Sequence, residues 1–317
     1  MFGSKGFISI GPDWFHLLES RTLAKRAISA EAYRRFQEFL ERNAGIVLGE
    51  NKQYLVDSRL ASILDEEGIA TFEELLSKLE GYGSRALREK VIDAMTTNET
   101  LWFRDGKPFR LLEEVILPEY AGRPLRIWSA ACSSGQEPYS IVFTVESYRE
   151  RHPGAAPSRV EVVATDLSPS MLRAAKAAEY DAMTVARGLS EQHKERFFDR
   201  KGQYWVVKPE FRRMVTFRQL NLQESFSSLG RFDVIFCRNV LIYFAEEAKR
   251  DILDRLAQAL NPDGYLILGS SESTAGYSDS YRTERYPQGA VFRPQFPDES
   301  EEIRSSTARY SSALADF

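Results

Sequence analysis

The spacing of apolar residues divides the chain into a helical part and a part in which strands alternate with helices. Between residues 29 and 97, apolar side chains recur every three to four positions, the period of an amphipathic helix. Ser29 is a predicted N-cap and Gly45 a predicted stop for the first of four such helices. The others are predicted over residues 51–67, from a capping box at 71–74, and over 84–97, which indicates a small helical domain.

The period changes at residue 125. Apolar stretches lie at residues 125–128, 160–164, 215–217, 232–237 and 265–268, and helical patterns lie between them at 138–151, 169–179 and 246–260. This alternation predicts an α/β fold, a doubly wound Rossmann-like domain over residues 125–293 with a mostly parallel sheet. The Asn-Pro-Asp-Gly run at 261–264 predicts a helix stop and a turn into the last strand.

Three further segments interrupt or flank this pattern. Residues 197–207 predict a hairpin that turns near Lys201 and Gly202, within a small inserted antiparallel β-subdomain at about 190–213. Residues 1–28 have no clean period and are treated as an N-terminal extension. The tail over 294–317 is acidic and then Ser-rich, which predicts disorder.

Residues 125–140, LRIWSAACSSGQEPYS, predict a strand, a turn of small residues and a helix. Small side chains let the backbone approach a ligand, and this unit begins a nucleoside-binding sheet. The turn has one glycine, Gly135, where a pyrophosphate binder usually has three. Glu137 would repel a phosphate, so we expect a cationic or neutral nucleoside rather than a dinucleotide.

Polar residues follow three other predicted strands. Asp166 ends the second strand, where an acid binds ribose hydroxyls or, alternatively, caps the next helix. Asn221 follows the third strand, at the base side of such a site or as an ordinary turn residue. Arg238 and Asn239 end the strand in FDVIFCRNVLIYF, where ligands bind at the switch point of a sheet; alternatively, Asn239 is a helix cap and Tyr243 a core residue.

The segment TTNETLWFRD, residues 96–105, joins the two parts and contains unusual residues for a linker. Flexible linkers favour Gly, Ser and Pro. Residues 98–124 are therefore predicted to be a linker and a helix packed over the ligand site.

Composition narrows the function classes. The 317 residues are 43% hydrophobic and carry a formal net charge of −4, which gives no support to nucleic-acid binding. Neither a membrane-spanning run nor a signal peptide is recognised, so a cytoplasmic protein that is not an integral membrane protein is expected. Two cysteines and no metal-spaced Cys/His cluster predict neither a disulfide framework nor a metal site. The three histidines, His16, His152 and His193, lie outside every motif.

Together, TTNETLWFRD, WSAACSSGQEPYS, ATDLS and FDVIFCRNVLIYF resemble the CheR family over about residues 30–293. These are S-adenosylmethionine-dependent methyltransferases that esterify glutamates of bacterial chemotaxis receptors. The resemblance implies S-adenosyl-L-methionine as cofactor, S-adenosyl-L-homocysteine as product, and chemoreceptors (methyl-accepting chemotaxis proteins) as partners. It also implies work at membrane-bound receptor arrays, and we expect a monomer.

The resemblance also implies a set of site residues. Those that match the cofactor pocket are Asn98, Thr100, Arg104, Glu137, Asp166, Asn221, Leu222, Arg238 and Asn239. Within this set, Glu137 matches the contact to the methionine part, Asp166 the ribose contact, and Asn221 and Leu222 the adenine side. Arg104 and Tyr243 match the two side chains nearest to the transferred methyl group and are the expected catalytic residues.

The resemblance also bears on two surfaces that contact receptors in the family. Family members dock receptors partly through basic residues of the helical domain, so a function for Arg59 and its neighbours is as well supported as a solvated surface. Some members bind a receptor C-terminal pentapeptide at the β-subdomain and have extra glycines in its hairpin. This hairpin has only Lys201, Gly202 and Gln203 at its turn, so it resembles the pentapeptide-independent type.

The acceptor chemistry fits these residues. A glutamate is already ionised at neutral pH, since its ordinary pKa is about 4.3, and it needs no general base. The absence of histidine from the motifs agrees with such an acceptor. Two alternatives remain open: a methyltransferase of a different acceptor, such as RNA or a small molecule, and a cofactor-binding adaptor without turnover.

Overall fold

The computed structural model describes residues 27–295, which form two compact units that divide after Thr96. The first unit contains four helices, α1 (Ala30–Ala44), α2 (Gln53–Glu66), α3 (Phe72–Glu80) and α4 (Arg85–Met95). The predictions for the N-terminal extension and the tail concern residues almost all of which lie outside the described range.

Local sequence signals account for the helix ends of the first unit. The Ser29 side chain accepts a hydrogen bond from the Ala32 amide, and Gly45 ends α1 in a left-handed conformation. Thr71 caps α3 by accepting from the Glu74 amide, but the Glu74 carboxylate accepts from Ala70 rather than from Thr71. The capping box therefore forms with its second bond displaced by one residue.

The core of the first unit lies where the helical period predicts it, with one shift in α2. Phe36, Leu40 and Leu60 are fully buried. The helical pattern of residues 51–67 places Leu55 on the inward face, but Leu55 is half-buried and Val56 is fully buried instead. The two neighbours are about 100° apart on a helix of 3.6 residues per turn, so the buried face of α2 is centred nearer to Val56 than to Leu55.

The second unit begins with a continuous helical stretch and continues into the sheet domain. The stretch consists of α5 (Lys107–Leu111), a π-helical turn (Leu112–Ile116) and α6 (Leu117–Glu119). The parallel strands are β1 (Pro124–Ala130), β2 (Arg159–Asp166), β6 (Val215–Gln219), β7 (Phe232–Cys237) and β8 (Leu260–Leu268). The main helices between them are α7 (Gln136–Arg151), α8 (Pro169–Ala177) and α12 (Glu246–Ala259).

Strand order defines where a ligand can bind. The seven-stranded sheet has the order β6-β2-β1-β7-β8-β10-β9, in which β9 (Tyr281–Tyr286) and β10 (Gly289–Pro294) are antiparallel. The chain winds outward from β1 in one direction and from β7 in the other, so the order reverses between them. The carboxyl ends of β1 and β7 therefore form the switch point of a doubly wound sheet, as predicted.

Two features of this sheet differ from the sequence prediction. The antiparallel pair β9 and β10 was not predicted, because charged residues dominate the exposed positions of β9. The Asn-Pro-Asp-Gly run lies within β8 rather than before it: Phe232 pairs with Leu260 and Val234 with Tyr265. Residues 261–264 thus bulge opposite Asp233, whose carboxylate accepts from the Asn261 side chain at 2.8 Å.

The inserted subdomain is a three-stranded antiparallel sheet. Its strands are β3 (Glu179–Tyr180), β4 (Phe198–Lys201) and β5 (Tyr204–Val207), and its short helices are α9 (Ala182–Ala186), α10 (Glu191–Phe197) and α11 (Pro209–Arg212). Lys201 pairs with Tyr204, so the hairpin turns through two residues, Gly202 and Gln203. The sheet begins at Glu179, ahead of the expected start near residue 190.

Candidate active site at the switch point of the sheet

The turn after β1 is built from residues in left-handed backbone conformations. Ala131 and Ser133 have φ values of 58° and 50°, and Gly135 has a φ of 96°. Such conformations cost a non-glycine residue about 1–2 kcal/mol. The Ser133 amide is held by the Asp166 carboxylate at 2.7 Å. Strained backbone of this kind clusters at ligand sites, so the turn is a strong candidate for cofactor contact.

Asp166 connects the loops after β1 and β2. Its Oδ2 accepts from the Ser133 amide, and its Oδ1 accepts from the Ser168 amide at 2.9 Å. The N-cap of α8 is Ser168, whose hydroxyl accepts from the Met171 amide. Asp166 therefore binds the amide of the cap residue rather than serving as the N-cap itself, and its contact to ribose hydroxyls stays a prediction.

A buried arginine organises the charges of the site. The Arg238 side chain is 1% exposed and donates from Nη1 to Glu137 at 2.9 Å and from Nη2 to Asp105 at 2.6 Å. Ser129 donates to the other oxygen of Glu137 at 2.8 Å. One guanidinium against two carboxylates leaves one net negative charge, which favours a cationic ligand. Arg238 was predicted only as a cofactor contact, and its ion pairs give it a structural role as well.

The segment that precedes α5 is packed on the sheet edge. The Asn98 carbonyl accepts from the Ser133 hydroxyl at 3.0 Å, and the Phe103 amide donates to the Ser140 hydroxyl at 3.0 Å. Trp102 is fully buried, and its ring lies 4.9 Å from that of Tyr180. A flexible linker would not have these contacts, so residues 98–105 are a fixed part of the second unit.

Arg104 lies in this segment between two residues of left-handed conformation. Phe103 has a φ of 49° and Asp105 one of 68°. The Arg104 carbonyl accepts from Arg238 at 2.9 Å, whereas its guanidinium donates to the Glu99 carbonyl at 2.9 Å and is half-exposed. Its backbone is fixed while its side chain reaches solvent, which suits a residue that meets a second substrate.

The loop after β7 contains the other residues of interest. Asn239 has a left-handed φ of 56°, and its Oδ1 is buried without a hydrogen-bond partner among residues 27–295. A 3₁₀ helix (Leu241–Tyr243) follows, and Tyr243 is half-buried. Asn239 does not cap a regular helix, so that alternative is wrong.

The loop after β6 contains the predicted adenine contacts. Asn221 forms a turn, because its side chain accepts from the Gln223 amide at 3.0 Å and its carbonyl from the Glu224 amide at 2.8 Å. Leu222 is buried in one apolar cluster with Trp128. Asn221 is thus a turn residue in this structure, and the adenine contacts of both residues stay predictions. Thr100 is half-buried, and its cofactor contact is likewise a prediction.

One acidic residue beside the site lies outside every sequence motif. Glu272, in the loop after β8, accepts hydrogen bonds from the amides of Asn239, Val240 and Leu241. It lies outside the four motifs, and its one local signal is a glycine, Gly269, three residues earlier at the end of a buried strand.

One histidine and two cysteines lie in or close to the motifs, and burial shifts the pKa of each. The ring of His193 stacks on Phe103 with centroids 4.9 Å apart, so this histidine contacts a motif that was expected to have none. Burial lowers the pKa of His193. Burial raises the pKa of both the Cys132 and Cys237 thiols well above the ordinary value, which makes them poor nucleophiles at neutral pH. Within residues 27–295, no three potential ligands are grouped to hold a metal.

Several basic side chains of the first unit bond within that unit. Arg59 donates to the Met95 and Thr96 carbonyls at 2.8 and 3.0 Å, and so caps the end of α4. Arg35 pairs with Glu80 at 3.0 Å. The Arg59 guanidinium thus bonds to the backbone of its own unit, and its part in receptor docking stays a prediction.

Two family models match the chain. The CheR methyltransferase all-alpha domain matches residues 31–96, and the CheR methyltransferase SAM binding domain matches residues 98–289. The chain belongs to the CheR methyltransferase family. The predictions of family, fold class, S-adenosylmethionine as cofactor and methyltransferase activity are thereby confirmed.

Curated relatives match nearly their whole length. A chemotaxis protein methyltransferase of Pseudomonas aeruginosa is 51% identical over 263 residues, which cover 81% of this chain and 96% of the relative. One of Pseudomonas putida is 48% identical over 266 residues, covering 82% and 97%. One of Vibrio parahaemolyticus is 48% identical over 269 residues, covering 84% and 98%.

The residues at the switch point fit the family's cofactor. S-adenosylmethionine carries a sulfonium and an amino group, and the net negative cluster of Arg238, Glu137 and Asp105 suits a cation. At Gly135 in the left-handed turn, a Cβ would lie 3.0 Å from Ala175 Cβ and from the Tyr180 hydroxyl, so this glycine lets α8 and β3 pack against the turn. The unpartnered Asn239 Oδ1 is a further buried acceptor beside the same edge. Between residues 27 and 295, no helix has the length and apolar content of a membrane span.

Proposed function

We propose that the protein transfers the methyl group of S-adenosylmethionine to glutamate side chains of chemoreceptors and forms methyl esters there, in chemotaxis adaptation. The attachment of residues 98–105 to the carboxyl edge of the sheet supports this best. Bonds from Ser133 and Arg238 hold both ends of that segment, so Arg104 stands at the edge where the nucleoside is expected.

In this proposal Arg104 orients the incoming carboxylate. A guanidinium offers a planar fork of donors that matches a carboxylate, and exchanging the Glu99 carbonyl for substrate requires only side-chain rotation. Tyr243 contacts the acceptor with its hydroxyl and shapes the approach with its ring. The cofactor supplies a methyl group activated by a sulfonium.

Binding of the cofactor is assigned to the residues of the same edge. Glu137 faces the amino group, Asp166 the ribose hydroxyls, and Asn221 with Leu222 the adenine. Asn98, Thr100, Arg238 and Asn239 complete the pocket. A carboxylate acceptor needs no proton removed, so positioning and exclusion of water are the tasks left to the protein.

A methylation assay tests the proposal. Purified protein is incubated with methyl-labelled cofactor and membranes that contain a chemoreceptor, and base-labile methyl esters are counted. We expect label on the receptor, lost when the acceptor glutamates are replaced by Gln. Arg104→Ala should lower turnover by about 100-fold, as a misplaced substrate does, while Arg110→Ala, an exposed arginine of α5, should not.

The other outcomes separate the alternatives. Label on RNA or on a small molecule would favour a different acceptor. Cofactor binding in calorimetry without any transfer would favour an adaptor. Near-normal turnover of Arg104→Ala would remove Arg104 from the catalytic residues.

The proposal extends to the setting of the reaction. We infer a cytoplasmic monomer that reaches membrane-bound receptor arrays and binds no nucleic acid. Light scattering on a sizing column tests the oligomeric state, since a dimer would scatter with twice the mass of the chain.

The two-residue turn at Gly202 and Gln203 supports a β-subdomain that does not depend on a receptor pentapeptide. Truncating the receptor tail should then leave methylation intact. Loss of methylation on truncation would contradict this assignment.

A further inference from the structure

Glu272 bonds to two loops at the carboxyl edge of the sheet. Its Oε1 accepts from the amides of Val240 at 2.9 Å and Leu241 at 2.8 Å. Its Oε2 accepts from the amides of Asn239 at 2.7 Å and Gly269 at 2.8 Å. One side chain thus satisfies four backbone donors, three of them on consecutive residues.

The three consecutive donors lie at a point where the backbone cannot satisfy them itself. They open the 3₁₀ helix that ends at Tyr243, and the first amides of a helix have no partner within it. Asn239 also has a left-handed φ of 56°, a conformation that asparagine tolerates better than most residues, and the bond to its amide fixes it there. Hydrogen bonds to an ionised carboxylate are stronger than those between neutral groups, and they supply that support.

The packing at Gly269 restricts this arrangement to one geometry. A Cβ at Gly269 would lie 2.6 Å from Glu272 Oε2 and 2.8 Å from Asn239 Nδ2. The Asn239 amide nitrogen is 2.9 Å from the same position, so the backbone of the loop after β7 approaches Gly269 closely. The Glu272 carboxylate is the group that joins them.

The exit of β7 is consequently braced on two sides. Arg238 ties it to Glu137 and to the segment of Arg104. Glu272 ties the next three residues to the loop after β8. Cys237, the last residue of β7, lies near both carboxylates. Burial raises the pKa of its thiol most, and the negative charges of Glu272 and then Glu137 raise it further.

We propose that Glu272 is a positioning residue for methyl transfer, which holds the loop from Asn239 to Leu241 so that Asn239 and Tyr243 face the reacting groups. This inference rests on the proposed roles of those two residues. Glu272 acts through the backbone amides that it binds and not by contact with either substrate.

Two substitutions and a control separate charge, length and fold. Glu272→Gln keeps the size of the side chain but replaces one acceptor oxygen with an NH₂ group that would face amide donors. Glu272→Asp keeps the charge but is shorter by one methylene. Glu247→Gln, an exposed acid in the first turn of α12, is the matched control.

The decisive measurement compares kcat with binding. We expect Glu272→Gln to lower kcat by roughly 100-fold, the size of effect that a misplaced reacting group produces. The cofactor Kd in calorimetry should rise far less than kcat falls, because Asn239 is one of several pocket residues, and the KM for receptor should stay close to that of the unaltered protein. Glu272→Asp should recover part of kcat, and Glu247→Gln should retain all of it.

Hydrogen exchange gives a readout that does not depend on turnover. Amides of residues 239–241 should exchange faster in Glu272→Gln, whereas those of β1 should not change. An unaltered kcat, a loss of cofactor binding in proportion to activity, or unaltered exchange at residues 239–241 would each overturn the inference. A lack of base-labile label with the unaltered protein would overturn the proposed function instead, and exchange would still decide whether Glu272 holds the loop.

Discussion

The ion-pair cluster around Arg238 allows a quantitative test of how the site is held together. Replacing Arg238 by Met keeps an unbranched side chain of similar length but removes the guanidinium between Glu137 and Asp105. The Glu137 side chain is 13% exposed and would keep its charge with one hydrogen bond, from Ser129. The segment of Arg104 would lose its bonds to the end of β7.

The magnitude follows from the burial of each partner. Removing one member of a buried ion pair costs about 3–5 kcal/mol, because the other charge is left without compensation. Asp105 is 38% exposed, so water screens its pair, which contributes at most about 1 kcal/mol. Most of the loss should come from Glu137. In a unit of this size, about 3–5 kcal/mol corresponds to a fall in Tm of roughly 6–20 °C.

A double-mutant comparison makes this test specific. Thermal unfolding would be measured for Arg238→Met, for Glu137→Gln and for both together, with Arg110→Met as an exposed control. If the unpaired charge of Glu137 causes the loss, the double variant should be more stable than Arg238→Met alone. A double variant that loses the sum of the two single losses would refute the reasoning.

Three further predictions concern packing, pH and helix ends. Gly188→Ala should destabilise the protein by more than about 3 kcal/mol in denaturant unfolding, since its Cβ would lie 2.2 Å from the Trp102 carbonyl oxygen. The control Gly202→Ala, with open space around it, should cost about 1–2 kcal/mol. Equal losses in the two variants would contradict the steric argument. Burial lowers the pKa of His193, so its contribution to stability is complete above about pH 6.5 and is lost as the pH falls through its lowered folded pKa. His193→Phe should flatten that part of the stability profile, and an unchanged profile would exclude the effect. Arg59→Ala should cost about 1–3 kcal/mol in unfolding, because two carbonyls at the end of α4 lose their donor. An unchanged free energy of unfolding would contradict the capping role of Arg59.

Much of the fold could be predicted because its signals are local. Ser29 and Gly45 end α1 through bonds within their own turn, and the apolar run at 232–237 coincides with β7. The edge pair β9 and β10 could not be predicted in this way. Half of the residues of β9 are charged, and its pairing depends on a partner strand that the local pattern does not show.

The site shows the same division between local and distant causes. Glu137, Asp166, Arg238 and Asn239 could be selected because polar residues that end parallel strands meet at one edge of a sheet. The sequence alone thus determined the parallel part of the sheet, its switch point and, through four motifs, the family. It could not give the partners of Arg238, which lie 101 and 133 positions away along the chain in Glu137 and Asp105.

Only the tertiary structure decided which bonds hold the residues of the site in place. Arg238 is bound to two carboxylates, Arg59 caps a helix end and Asn221 closes a turn, and none of these bonds is visible in the motifs. Glu272 carries no motif, yet four amides converge on it. Periodicity and capping depend on residues that are close to one another in the sequence, so they can be recognised from the sequence alone. The pairing of buried charges and amides depends on which loops the folded sheet brings together.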